Sequence, residues 1–508
     1  MKTPAELTYE TGILPRAVLI VPGVLFLLAA FSLDFTLNQI LAIGFTLTAL
    51  TAWFYDKAAG LTAAMIFLFT KPFWVRMSFA FDTRSTGNGG FDLLGITPAL
   101  LLAGMIVWQL FLDHSSGVRL CPDRTRKLML AFVAVSAATV PLSPSILVGL
   151  GGFERNVLPN MMILFLAASV LTEISRLEKL VKSLLVLGIV SCLYAIGQYI
   201  YGLYPWELAW FQNMASENGL SGWLTIGVRG IEFRIFSIFY GYMDFFFTNV
   251  LIFALTYALR PSLKGGWKYA FFIYVISWMV ILALSLERMP ILMISIVVFG
   301  LAFFKSGRVR RRKTTLGAFG ILTAIYTVLL LTAPAMKTSG ADKLVRVAEL
   351  ANPFEATSIL DRVETKWLPS LEKISANPLG AGIGYGSQTK ASATADNSGD
   401  FVLPHNELIQ KTLETGIVGG IIFLLLLISV FKDCLRHGGS ETARTFRKAL
   451  AGTTISFWFC GMVNLPFSGS SGLLYWCLAG VALGLERQSF YNEICPKLSP
   501  INADKNGG

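Results

Sequence analysis

The sequence predicts an all-α integral membrane protein: a polytopic bundle of about 12–14 transmembrane helices with one long, partly helical loop on the outer side. Three observations carry this. Of 508 residues only 14% are charged while 54% are hydrophobic, whereas soluble chains run nearer a quarter charged. The apolar residues fall in runs of roughly 17–25, enough to cross about 30 Å of hydrocarbon as a helix. Lysine and arginine collect in alternate connections, as they do in helical membrane proteins.

The runs lie near residues 15–33, 36–54, 59–76, 93–112, 127–142, 157–172, 180–203, 235–259, 268–286, 290–305, 315–334, 406–431, 449–466 and 471–486. The third carries Lys71 and Pro72, and the fifth is closed early by Pro141 and Pro144. The first is followed almost at once by another span and by no hydrophilic domain, so it reads as an uncleaved first helix rather than a signal peptide.

Inside connections hold Lys57; Arg119, Arg124, Arg126 and Lys127; Arg176, Lys179 and Lys182; Arg260, Lys264 and Lys268. The Arg308–Lys313 cluster and Lys432, Arg436, Arg444 and Arg447 continue the pattern. Both termini are then cytoplasmic, and the net charge of +11 is mainly a topology signal, with attraction to anionic membrane lipids as a second effect. It is not a nucleic-acid signature. None of the 6 cysteines falls in an outside connection, so no structural disulfide is expected. The 3 histidines form no Cys/His cluster, and neither a metal nor a cofactor is expected.

Four divisions follow. Residues 1–203 are N-terminal transmembrane helices, and 204–334 are further helices with an outside segment at 204–234. Residues 335–405 form the long outside loop, and 406–508 are the C-terminal helices with a short cytoplasmic tail. The two long outside segments have room for a site.

Within 204–234, Trp206 and Trp210 share a face if helical; they fit an interfacial aromatic belt or, alternatively, a sugar platform. Arg234 sits at the outer mouth of the eighth span, with Asp244 about three helical turns deeper. An ionisable residue inside a span is costly and is by default a functional hypothesis with a partner to find; a snorkelling interfacial arginine is the plainer alternative. Glu287 and Arg288 lie at the outer end of the ninth and tenth spans, as an interfacial pair or as an arginine aimed into an outward cavity. In the long loop, Leu360, Val363 and Trp367 are spaced for one helix face, with Arg362 on a neighbouring face. Next, Pro378-Leu-Gly-Ala-Gly-Ile-Gly-Tyr-Gly386 has glycine at every second position, a flexible turn of exposed amides able to approach a ligand closely. It lacks the spacing of nucleotide loops.

The final element is His405, Asn406 and Glu407, then Gln410 and Glu414, a polar stripe running into the twelfth span. Gly416 and Gly420 permit close helix packing. His405 is the sole histidine on the outside, since His114 and His437 fall in inside connections.

His405-Asn406, Gln410, Glu414, Gly416 and Gly419 resemble the HNxxLQxxxExGxxG pattern of the bacterial O-antigen ligase and polymerase superfamily. Arg362, Trp367 and Pro378-Leu-Gly-Ala-Gly are similar to that family's outer loop, and Ser285-Leu-Glu-Arg288 to its Ser-Arg element. Arg234 is similar in placement to an earlier family arginine. The resemblance covers about residues 230–435. Ile409 stands where the pattern has leucine, and Ser285 and Arg288 are not adjacent.

The resemblance implies a metal-independent inverting glycosyltransferase in the bacterial inner membrane with its active site facing the periplasm. The donor is a glycan on undecaprenyl diphosphate, and the acceptor is a hydroxyl of lipid A-core or of a growing polysaccharide. Arg234, Arg288 and Arg362 suit the leaving diphosphate, since guanidinium binds phosphate by charge-assisted, often bidentate hydrogen bonds. His405 suits the general base, because a neutral imidazole takes a hydroxyl proton readily. Asn406 and Glu407 are both candidates for orienting its ring. A membrane carrier or lipid-linked oligosaccharide flippase is the rival class, and inverted repeats or paired broken spans would favour it. A cell-wall glycan polymerase relying on an outside carboxylate is a second rival.

Overall fold

The computed structural model describes residues 36–81, 93–112, 123–210, 235–239, 241–285, 288–305, 362–385, 404–436 and 439–494. The expected spans at 15–33 and 315–334, together with Arg234 and Glu287, lie outside the described residues.

All regular elements among the described residues are helical. They are α1 (Leu37–Tyr55), α2 (Lys57–Phe81), α3 (Leu93–Leu112), α4 (Asp123–Ala138), α5 (Ile146–Asn156), α6 (Leu158–Val170) and α7 (Ile174–Tyr201). There follow α8 (Tyr242–Leu259), α9 (Gly266–Ser285), α10 (Arg288–Lys305), α11 (Leu368–Ala376), α12 (Glu407–Leu435), α13 (Glu441–Gly461) and α14 (Gly469–Ile494). Seven helical segments in the described residues are long and apolar enough to cross a membrane, and α3, α10 and α14 contribute shorter apolar stretches. The chain is an all-α multi-pass membrane protein.

Helices approach closely where side chains are small. On α14, a Cβ at Gly480 would stand without room beside the Leu164 carbonyl, and one at Gly484 would lie 2.7 Å from the Ala168 carbonyl. With no hydrophobic drive between helices in lipid, this backbone-to-backbone packing of α6 on α14 holds the bundle together. Likewise Gly452 of α13 faces Gly300 of α10, and Ser456 Oγ donates to the Met293 carbonyl at 3.2 Å.

Contacts between connections sort into two ends. At one end Ser143 meets Ile383, Arg76 meets Ser237, Arg362 meets Val463 and Asp244 meets Ser471. At the other end Thr125 meets Asp433, Lys179 meets Asp56, and Lys182 lies over Trp267. The first group joins connections that the charge pattern assigns to the outside, and the second joins inside ones.

Several elements differ from the sequence expectation. The eighth span begins at Tyr242 rather than 235, after an extended Gly241. Residues 235–239 are apolar but form a turn, with Ser237 at φ 56°. Asp244 therefore sits in the first turn of α8 and not several turns deep. Second, α13 begins at Glu441, where the Ser440 side chain accepts from Ala443 N–H at 3.2 Å and caps a polar first turn that hydropathy passes over. Third, α12 is broken at Gly416, whose φ is 74° and ψ 175°. Helix α5, absent from the expected spans, is a short helix between the fifth and sixth.

Candidate functional site

The break in α12 shapes the site. In an unbroken helix the Ile417 amide would donate to the Leu413 carbonyl four residues back. Here both groups go elsewhere: Ile417 N–H donates to the Pro378 carbonyl at 3.0 Å, and Ala381 N–H donates to the Leu413 carbonyl at 2.8 Å. Residues 378–381 are thus inserted into the opened ladder and take up the two groups, an amide and a carbonyl, whose mutual bond the break removes, which would be costly to leave unpaired in lipid. This contact requires glycine on both sides. A Cβ on Gly380 (φ +99°) would lie 2.6 Å from the Gly416 nitrogen, and one on Gly416 would lie 2.6 Å from the Leu379 carbonyl carbon. Gly384 packs against Gly152 and Val148 of α5, and Gly382 against Ser143, whose hydroxyl donates to the Ile383 carbonyl at 2.7 Å. The alternating glycines are a backbone clamp. The expectation of exposed amides awaiting a ligand is corrected: the close approach they permit is to the protein's own backbone.

The clamp sets off residues 407–415, which carry the polar stripe. Asn406 caps this short helix: its Oδ1 accepts from Ile409 N–H at 3.1 Å, and its Nδ2 donates to the Met462 carbonyl at 3.0 Å. Glu407 is buried and turned toward the α13–α14 connection, where its carboxylate accepts from Phe467 N–H and from Ser468 Oγ, both at 3.1 Å. Buried Lys411 stands 3.5 Å from the same carboxylate. Gln410 Nε2 donates to Glu414 Oε1 at 3.4 Å in the interior. Asn406 and Glu407 thus spend their hydrogen bonds on neighbouring backbone and side chains, not on the His405 ring.

His405 lies just before the cap, half-buried, at φ 50°. Histidine tolerates this left-handed conformation better than most residues, and it lets the chain turn from Pro404 into Asn406. Burial first, then the positive charges of Arg362 and Lys366, push its imidazole down to about 4. At neutral pH the ring is therefore uncharged, and it is a weaker base than an ordinary imidazole.

Arg362 precedes a wide helical turn, Val363–Trp367, that leads into α11. Its Nη1 donates to the Val463 carbonyl at 2.9 Å; this is the single hydrogen bond it makes among the described residues. Arg288 is the first residue of α10, and the position of its side chain is not among the described features. Arg234 lies outside the described residues. The chain that follows it, however, is firmly held.

That anchorage was not read from the sequence. Arg76 of α2, 1% exposed, donates from Nη1 to the Phe239 carbonyl at 2.7 Å and from Nη2 to the Ser237 carbonyl at 2.9 Å. Its Nε lies 3.9 Å from Glu207 and its face covers Phe236 at 4.8 Å. Glu207 in turn accepts from Tyr194 and Gln198, each at 2.8 Å, while Gln198 accepts from Ser237 N–H at 2.8 Å. Trp206 belongs to the same assembly, donating to Tyr194 at 3.2 Å and stacking on Tyr204 at 4.8 Å; that indole face is occupied by protein. The partner of Asp244 is the start of α14, where Ser471 N–H donates to it at 2.9 Å. Lys366 and Lys411 were also missed: each looks like an ordinary helix-surface lysine in a linear reading.

The fold and this arrangement define a class: a polytopic helical membrane protein with a half-buried histidine in the vicinity of Arg362 and Lys366 at one end of the bundle. Residues 270–424 match the family described as O-antigen ligase, and over this part the chain is similar to the O-antigen ligase/polymerase superfamily. Among curated proteins, none matches the chain. The matched stretch contains Arg288, Arg362 and residues 405–414. It leaves out Arg76, Arg234 and the connection from Met462 to Ser471.

Proposed function

We propose that the chain is a glycosyltransferase that moves a glycan from undecaprenyl diphosphate to an acceptor hydroxyl at the periplasmic face of the bacterial inner membrane. The observation that carries this is the half-buried, uncharged His405 beside Arg362 and Lys366, within the stretch that matches the O-antigen ligase family. Membrane sidedness follows from the lysine and arginine pattern of the opposite end.

In this reading His405 takes the proton from the acceptor hydroxyl as its oxygen attacks the anomeric carbon. The new C–O bond forms as the bond from that carbon to the diphosphate breaks, and undecaprenyl diphosphate leaves with the electron pair. Attack from the face opposite the leaving group inverts the anomeric centre. Arg362, with Arg288 and Arg234, meets the charge building on the diphosphate. These cations do the work a divalent ion would otherwise do, so chelation with EDTA leaves transfer intact. Asn406, Glu407, Gln410 and Glu414 support the segment that carries His405.

The carrier reading gains one feature, since transport proteins use broken helices as substrate sites. At Gly416, however, the Ile417 amide and the Leu413 carbonyl bond to residues 378–381, so the protein's own backbone takes the place at the break that cargo would need.

A surface-glycan gel of a null mutant tests the reading. Loss of all long chains identifies a ligase of lipid A-core, a single capping repeat identifies a polymerase, and an unchanged pattern of every cell-surface and secreted glycan refutes the proposal. Arg288→Ala and Arg234→Ala each abolish activity while the protein still inserts. Arg→Lys is partly tolerated, because a point charge does not reproduce a two-pronged contact.

A further inference from the structure

The α13–α14 connection together with the first turn of α14, Met462 to Ser471, contains no charged residue, yet side chains from four distant places end on it. Arg362 donates to its Val463 carbonyl at 2.9 Å and Asn406 to its Met462 carbonyl at 3.0 Å. Glu407 accepts from Phe467 N–H and Ser468 Oγ at 3.1 Å each, and Asp244 from Ser471 N–H at 2.9 Å. From the other side Asn160 Nδ2 reaches the Phe467 carbonyl at 3.4 Å. Ser471 Oγ donates to the Pro466 and Ser468 carbonyls at 3.0 and 3.1 Å, which braces the connection internally.

Arg362 and His405 come from different segments, and no direct hydrogen bond joins them among the described residues. Each is tied separately to this connection, Arg362 at Val463 and the His405 segment at Met462, Phe467 and Ser468. We infer that residues 462–468 are the positioning element of the site, holding the Arg362 guanidinium in register with the His405 ring, and that Ser468 is a positioning residue acting through Glu407. The inference rests on the reading in which Arg362 and His405 serve the transfer. A short uncharged connection suits this task. Its backbone groups carry no charge of their own, so they fix a guanidinium without neutralising it.

The consequence can be read at His405 without any glycan. Its surroundings are burial, Arg362 and Lys366, with Glu407 and Lys411 paired with each other below it. If the connection holds Arg362 close, loosening it lets the imidazole return toward its ordinary value.

The test uses the full-length protein in lipid nanodiscs. Diethyl pyrocarbonate labels neutral imidazole, and mass spectrometry of the His405 peptide across pH gives its midpoint. Transfer is followed with lipid-linked glycan extracted from the parental membranes. Ser468→Ala is expected to raise the midpoint from about 4 and to lower transfer roughly tenfold, the worth of one hydrogen bond to a charged group. Ser468→Thr, which keeps the hydroxyl, restores both. One glycine inserted after Leu465 has a larger effect on both readouts, and Ser468→Ala serves as the milder variant should the insertion prevent folding. An unmoved midpoint and parental transfer in Ser468→Ala, beside inactive Arg362→Ala and His405→Gln, would overturn the inference alone. Parental transfer in Arg362→Ala and His405→Gln would instead remove the reading beneath it.

Discussion

Two arginines at the same end of the bundle are held in opposite ways. Arg76 is 1% exposed and held on several sides: two carbonyls accept from it, a carboxylate lies 3.9 Å from its Nε, and an aromatic ring lies against its plane. Arg362 is half-buried, with one hydrogen bond to a carbonyl and a field strong enough to depress a neighbouring histidine. Guanidinium has five donors in a rigid fork. Spent inside the protein they build structure; in the proposed function those of Arg362 that bind no described residue would meet an anion. The lesson is that an arginine's role is read from what its donors already do, not from its depth.

The comparison is broken most severely at Arg76. Arg76→Ala leaves Glu207 buried without its cation, and loss of one partner of a buried pair costs about 3–5 kcal/mol. Thermal unfolding in detergent should show a large fall in midpoint. In Arg362→Ala the midpoint should stay near the parental value while transfer falls about 10²-fold, in line with loss of one donor to a developing anion. Equal melting points for both variants would abolish the contrast.

A smaller effect is expected at the clamp. Gly416→Ala puts a side chain at a φ of 74°, where a non-glycine residue costs about 1–3 kcal/mol, and drives its Cβ into the Leu379 carbonyl. Both stability and transfer should drop, because the break carries the His405 segment. Full activity would show that the segment is placed by other means.

The smallest change sharpens the electrostatics. On the proposal that His405 is the base, a value of about 4 leaves it unprotonated only above that pH, so transfer should fade as pH falls through it. Lys366→Ala removes one depressing charge, and the acid limb of the rate profile should move upward toward the ordinary histidine value of ~6.5. Stability has the same sign. Between about 4 and ~6.5 the unfolded chain binds the proton first, so folded protein loses stability as pH falls through that window. An acid limb unmoved by Lys366→Ala would place the lysine too far away to act.

How much of this was legible in the sequence follows from what each feature depends on. Helix α1 occupies Leu37–Tyr55 where 36–54 is expected, because apolar length largely decides a span. The start of α8 was misplaced because Ile235 to Phe239 are as apolar as a helix, and what uncoils them is Arg76, more than 150 residues away in the chain. The glycines announced a close approach but not the identity of the approaching backbone. His405, Asn406 and Glu407 were legible as a polar cluster, whereas their main partner was not. Met462 to Ser471 works through carbonyls and amides, which every sequence has and none displays.

The central claim is that His405 removes the acceptor proton. Single-turnover transfer by purified His405→Gln, with lipid-linked glycan already bound, tests it most directly. Glutamine keeps a hydrogen-bonding group but cannot take the proton, so the account predicts retained donor binding and a rate lower by ~10²–10⁴-fold at neutral pH. Transfer at the parental rate would contradict it, leaving His405 as the residue that turns the chain into the α12 cap.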